Sequence, residues 1–307
     1  MIVDSFDEHI RGDEMYYGMI ALSVLMFSTN FVFNQQYRKR MGSGFFQTFL
    51  LSFAGSVAGL IVMSITQALT DGIKFEFTVF SFIMALTTVL NGLLLNYCSL
   101  RTLGIVNLSL YSIIMMLGGM VLPSVVGVLF FDEGMTLAKG LCYLFIFVAL
   151  VLTFEKSTQK TTPKSAYIYY AGVFILNGMS GVINKIFNSA PYERISAAGY
   201  SLLTAMCNFT ISGLLVLILF CSFKGKISLP ALGFGFTGGG INRFANFLLV
   251  AALAHVHASV QYPMVTGGCM IVSTIIAFFT SAKPTKMQIT SVALSFVGIV
   301  LLVVVPI

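Results

Sequence analysis

The chain has 307 residues, of which 57% are hydrophobic and only 9% are charged, and its mean hydropathy is +0.94. Because soluble domains carry about a quarter charged residues, this composition excludes a globular protein that folds in water. The net charge of +6 does not indicate nucleic-acid binding, since basic residues in a membrane protein chiefly determine its topology.

Along the chain, an acidic segment is followed by a series of apolar runs. Residues 1–14 predict a polar N-terminal tail and no signal peptide. Each run that follows is long enough to cross a hydrocarbon core as a helix, which takes about 20 residues. The runs lie at residues 15–33, 45–69, 77–98, 105–131, 137–154, 167–187, 197–223, 229–253, 258–280 and 285–305. We therefore expect an all-α membrane protein with about ten transmembrane helices, divided evenly by a polar linker at 155–166.

The two halves, residues 15–154 and 167–307, resemble each other. The pattern N-x-x-F-N starts at Asn30 in the first run and at Asn184 in the sixth, 154 residues later. Further matched pairs are Gly59 with Gly213, Asn91 with Asn242, and Gly118 with Gly267. Five is an odd number of helices, so the second copy enters the membrane upside down. Inverted repeats of this kind predict a secondary transporter that works by alternating access.

The junction of the fourth and fifth runs carries a family resemblance. Residues 129–136 read Leu-Phe-Phe-Asp-Glu-Gly-Met-Thr and are followed by Lys139 and Gly140. The second half reads Ala-Phe-Phe-Thr-Ser-Ala-Lys-Pro-Thr at 277–285, which keeps the threonine and lacks the glutamate. Over residues 15–305 this layout resembles the drug/metabolite transporter superfamily with two EamA domains. The resemblance implies a multi-pass carrier and does not specify its substrate.

Lysine and arginine residues are unequally distributed between the loops of the two faces, eleven against four. Because positive loops stay in the cytoplasm, this bias predicts that both termini face outward. The family resemblance implies cytoplasmic termini, so the orientation stays open. We expect a location in the plasma membrane, and the oligomeric state, a homodimer included, is also open.

Arg243 is the principal candidate for substrate binding, because it lies near the middle of the eighth run. An arginine at that depth is costly and marks either a functional site or a structural pairing, and both interpretations are open. Directly before it, Gly238, Gly239 and Gly240 predict a hinge or broken helix that would aim free backbone amides at the same place. The alternative is that these glycines let two helices pack closely.

Other polar residues are candidates because they recur at matched positions of the two halves or follow matched connections. They are Asn30, Asn91, Asn184, Asn242, Tyr111, Gln261 and Tyr262. The alternative is that the asparagines only tie helices together and that the tyrosines belong to an interfacial belt. Lys185, near the end of the sixth run, is expected to extend to the interface. His255 and His257 are interpreted as loop residues, and no metal or cofactor is expected.

The distribution of acidic residues limits the function. None lies deep in a run, which argues against proton-coupled export of cations. We expect a secondary transporter or exporter of a small polar metabolite, such as an amino acid or another carboxylate. Its cavity would be lined by the first, third, sixth and eighth helices, with contributions from the fourth and ninth. The alternatives are an intramembrane enzyme, for which no catalytic motif is found within the runs, and a non-transporting partner subunit.

Overall fold

The computed structural model of the protein describes residues 2–72, 76–106, 108–131, 134, 136–154, 166–221, 227–279 and 286–304. Over these residues the chain forms ten α-helices. They are α1 (Ile2–Met41), α2 (Phe45–Thr70), α3 (Val79–Thr102), α4 (Leu108–Phe130), α5 (Leu137–Phe154), α6 (Ala166–Ser189), α7 (Ala197–Phe220), α8 (Leu229–Leu253), α9 (Ala258–Phe278) and α10 (Lys286–Val304). The predicted all-helical class is confirmed for the described residues, and each apolar run corresponds to one helix.

Helix α1 extends past the apolar run that ends at residue 33. The extension stays helical because its inner face is buried: Tyr37 is 0% exposed, and its hydroxyl donates to the carbonyl of Gln47 at 2.6 Å. The helix ends at Gly42, whose φ of 90° is the left-handed conformation that favours glycine. The Gly42 amide donates to the carbonyl of Arg38 at 2.8 Å, which closes the last turn.

Two of the helices that line the candidate site are capped at their N-termini by hydroxyl side chains. Thr78 accepts a hydrogen bond from the amide of Ser81 at 3.2 Å and caps α3. Ser196 accepts from the amide of Gly199 at 3.0 Å and caps α7. Each satisfies one of the helix amides that have no partner within the helix. Ser196 also donates to the carboxylate of Asp71, which ties the start of α7 to the end of α2.

Among the described residues, six helices are long and apolar enough to cross a membrane: α1 from Met15 onward, α2, α3, α6, α7 and α9. Shorter apolar segments lie in α4, α5 and α10. Helix α8 is not one of the six, and it carries Asn242, Arg243 and Asn246 along its middle. Large apolar side chains point outward, with Leu69 82% and Leu217 70% exposed. Such a surface suits lipid and not water, so the molecule is an integral membrane protein.

Helix α8 packs against α1, α2 and α7, and α6 packs against α3 and α4. Close contact between α2 and α8 depends on two glycines, since a Cβ added at Gly239 would collide with the backbone of Gly55. The predicted break at residues 238–240 is therefore wrong for this structure, because α8 is continuous from Leu229 to Leu253. The glycines instead allow two backbones to touch, as the alternative interpretation expects.

Candidate substrate cavity

A cavity of about 210 Å³ lies between seven helices of the bundle. It is lined from α1, α3, α6 and α8, with further residues from α4 and α9, as expected from the sequence. Helix α7 adds a wall that was not expected, made chiefly of Tyr200, Thr204 and Asn208. Tyr200 is held in place by a 2.7 Å hydrogen bond between its hydroxyl and that of Thr88 on α3. The cavity therefore brings together residues from both halves of the chain.

Six of the eight residues predicted to bind substrate line this cavity. They are Asn30, Tyr111, Asn184, Asn242, Arg243 and Tyr262. Their convergence is a geometric finding, and their role in binding stays a prediction.

The remaining two, Asn91 and Gln261, connect helices instead. The side-chain amide of Asn91 donates to the carbonyl of Leu176 at 2.9 Å and to the hydroxyl of Ser180 at 2.8 Å. Gln261 is 1% exposed, and its amide donates to the carbonyl of Leu249 at 2.9 Å. The sequence did not distinguish these two from the lining residues, because both groups are polar and lie within apolar runs.

Arg243 is the only charged side chain among the described lining residues. Its aliphatic stem runs over α2 where Gly59 leaves room, since Cγ of Arg243 lies 2.8 Å from the position that a Cβ at residue 59 would occupy. No hydrogen bond or ion pair joins its guanidinium to a described residue. Five N–H donors are thus available to a molecule in the cavity, and an anionic group would complement them best.

Neutral amides make up much of the remaining polar lining. Besides the predicted residues, the cavity wall includes Asn34, Asn96, Asn177, Asn208 and Asn246. A smaller cavity of about 60 Å³ shares several of these amides and Arg243, and it adds residues of α2 that include Ser52. The sequence contained a signal for Asn246, which lies one helical turn after Asn242.

A third cavity, of about 480 Å³, opens where α4, α6 and α8 end and α5 and α9 begin. Two lysines line it, and both are 3% exposed. The ammonium of Lys185 lies 4.9 Å from the ring centroid of Phe131, and that of Lys139 donates to the carbonyl of Gly134 at 2.9 Å. Lys185 is thus buried against an aromatic ring, whereas the sequence predicted that it reaches the interface.

Replacing Asn91 with alanine is expected to lower thermal stability while leaving ligand preference unchanged. The change removes two interhelical hydrogen bonds, and at about 0.6 kcal/mol each the loss is about 1 kcal/mol. Thermal unfolding in detergent measures the effect. Asn188→Ala is the matched control, because the side chain of Asn188 bonds only within α6, to the carbonyl of Asn184. Equal melting temperatures for the two variants would contradict the assignment.

No family model matches the chain, and no curated protein sequence matches it. One solved structure, described as a crystal structure of a protein, superposes on it with a TM-score of 0.63. The superposition covers 92% of this chain and 99% of that one, at 12% sequence identity. At this identity the likeness concerns the fold alone. The arrangement of helices described above therefore occurs in a crystallised protein of similar length.

Proposed function

We propose that the protein is a secondary transporter that carries a small carboxylate-bearing metabolite, with Arg243 as the group that binds the carboxylate. The observation that carries the proposal is a guanidinium that makes no hydrogen bond or ion pair with a described residue, in a cavity walled by helices of both halves. An arginine grips a carboxylate through two parallel hydrogen bonds, which suits a mid-membrane binding site. Amino acids and other carboxylates are the candidate substrates.

The proposal includes ten membrane spans in two inverted repeats of five helices, as in the drug/metabolite transporters that the sequence resembles. Helix packing supports it. In the proposed repeat, α1 to α5 correspond in order to α6 to α10. Under this correspondence the contact between α1 and α8 is equivalent to that between α6 and α3, and the contact between α4 and α6 to that between α9 and α1; all four are observed. The same correspondence maps the pairs α2–α7, α4–α9 and α5–α10 onto themselves. A two-fold axis between the halves would produce this pattern of packing.

Individual glycine contacts repeat in the same way. On α4, a Cβ added at Gly119 would lie 2.6 Å from the side-chain amide nitrogen of Asn177 on α6. On α9, a Cβ added at Gly268 would lie 2.9 Å from Cγ1 of Val24 on α1. Two equivalent interfaces of this kind would let the halves rock around the cavity, which would open to one side of the membrane at a time.

The test is a ligand screen followed by transport. Small carboxylates and their methyl esters are compared by thermal shift on the purified protein, because a ligand that binds only the folded state raises its melting temperature. We expect stabilisation by at least one free acid and none by its ester, since the ester lacks the charge that complements Arg243. The stabilising acid should then enter proteoliposomes that contain the protein. Stabilisation by cations alone, or a bound acid that is never transported, would overturn the proposal.

A further inference from the structure

Besides the guanidinium, eight asparagine side chains line the cavity. Four of its asparagines use their side-chain N–H groups on the protein itself. Asn96 donates to the hydroxyl of Ser52 (3.0 Å), Asn177 to the carbonyl of Met115 (2.6 Å), Asn208 to the carbonyl of Ser52 (3.4 Å) and Asn246 to the carbonyl of Asn242 (2.8 Å). Their Oδ1 atoms have no hydrogen-bond partner among the described residues. A ligand in the cavity would therefore meet at least four side-chain oxygens that can accept its hydrogen bonds.

A ligand that carries a carboxylate and several hydrogen-bond donors can be a zwitterion, with an ammonium group, or a monoanion, with hydroxyl groups. The net charge of the ligand decides which of the two suits the cavity. A zwitterion placed beside Arg243 leaves one positive charge uncompensated, because the described lining contains no carboxylate. A monoanion leaves none. Since an uncompensated charge away from water is costly, the cavity favours hydroxyl groups over an ammonium as the donors that face the asparagines.

The aromatic lining agrees with a hydroxylated ligand. The hydroxyl of Tyr262 donates to the carbonyl of Gly181 at 2.8 Å, and that of Tyr111 donates to the sulfur of Met115 at 3.0 Å. Both tyrosines line the cavity with their hydroxyls already bonded to the protein, so they offer a ligand their rings more readily than a hydrogen bond. Ring faces pack well against the C–H groups of a polyhydroxylated carbon chain, whereas the amides take its hydroxyls.

We propose that the substrate is a polyhydroxylated monocarboxylate of the aldonic or uronic acid type, and not an amino acid. This inference rests on the proposed function, since it names the substrate class of the same cavity. Arg243 binds the carboxylate, and the oxygens of Asn96, Asn177, Asn208 and Asn246 accept hydrogen bonds from the hydroxyls.

The probes are three molecules of nearly one shape: D-gluconate, 2-amino-2-deoxy-D-gluconate and D-sorbitol. The first is a monoanion, the second a zwitterion and the third is neutral. Binding to the full-length protein is measured by thermal shift, and transport by uptake into proteoliposomes. We expect gluconate to bind about tenfold more tightly than its amino analogue, and sorbitol to give no shift. Equal or tighter binding of the amino analogue would overturn the proposed substrate class.

The variant Asn184→Asp is an independent test, because it places a carboxylate of the same shape as the asparagine amide in the cavity wall on α6. The side chain of Asn184 makes no hydrogen bond with a described residue, so the fold does not depend on its amide. We expect the preference of this variant to move toward the amino analogue, and an unchanged preference in a folded variant would overturn the charge argument. If zwitterions are bound and carried in an Arg243-dependent way, only the substrate class fails. If no carboxylate is bound or carried, the proposed function fails as well.

Discussion

Uptake of the carboxylate substrate is expected to fall about 10- to 100-fold when Arg243 is replaced with glutamine, while the protein still folds. Hydrogen bonds to charged groups contribute about 1.5–3 kcal/mol, and each 1.4 kcal/mol changes affinity about tenfold. The fold should survive because the guanidinium makes no hydrogen bond or ion pair with a described residue, so none would be left unpaired. Initial rates of uptake into proteoliposomes, normalised to folded protein, give the measurement.

Two further variants make this experiment specific. Arg243→Lys keeps the charge and loses the planar fork, so its uptake should fall between that of the parent and that of the glutamine variant. Lys286→Gln removes one positive charge at the exposed start of α10, outside the cavity, and should leave uptake unchanged. A well-folded Arg243→Gln protein with undiminished uptake would return the arginine to a structural role.

Replacing Gly239 with alanine is expected to destabilise the protein by about 1–3 kcal/mol, the usual cost of overpacking a tight interface. The added methyl group would collide with the Cα, the carbonyl carbon and the carbonyl oxygen of Gly55. Backbone atoms cannot rotate away as a side chain can, so α2 and α8 must separate. The melting temperature in detergent and the yield of monodisperse protein report the effect.

Gly233→Ala is the matched control for that prediction. It makes the same substitution in the same helix, but a Cβ added at residue 233 meets nothing within 4 Å. Alanine is also the better helix former, by about 1 kcal/mol in an exposed helix, so this variant should be as stable as the parent or more so. If the two alanine variants unfolded at the same temperature, the contact between α2 and α8 would not be the tight one described.

The sequence predicted the helices well, because backbone groups that face lipid must be hydrogen-bonded within a helix. An apolar run therefore ends close to where its helix ends. Deviations have local causes. Helix α1 continues to Met41, past its apolar run, because the inner face of the extension is buried against neighbouring helices. At α8 the run of glycines predicted a break, but unwinding would have required new partners for backbone groups that the continuous helix already satisfies.

The candidate site was predictable in part for a similar reason. Polar residues deep in apolar runs face inward, so Arg243 was found from its depth in the run, and Asn30 from its match with Asn184 in the second half. An inward polar residue can line a cavity or bond to a neighbouring helix. The outcome depends on the angular position of its side chain around the helix axis, and a fraction of a turn is enough to change it. Asn91 bonds to α6, whereas the next residue, Gly92, lines the cavity. The wall from α7 was missed because Asn208 has no counterpart among the matched pairs of the repeat.

The composition of α8 also bears on how the chain is assembled. An arginine at the centre of an isolated membrane helix costs about 2.5–3.5 kcal/mol on insertion, and α8 is not among the helices apolar enough to offset this by length and hydropathy. Helix α8 packs chiefly on α1 and α2, which are synthesised long before it. We therefore expect that packing on α1 and α2 offsets the cost of placing Arg243 in the membrane, so insertion of α8 should depend on helices that the ribosome has already delivered.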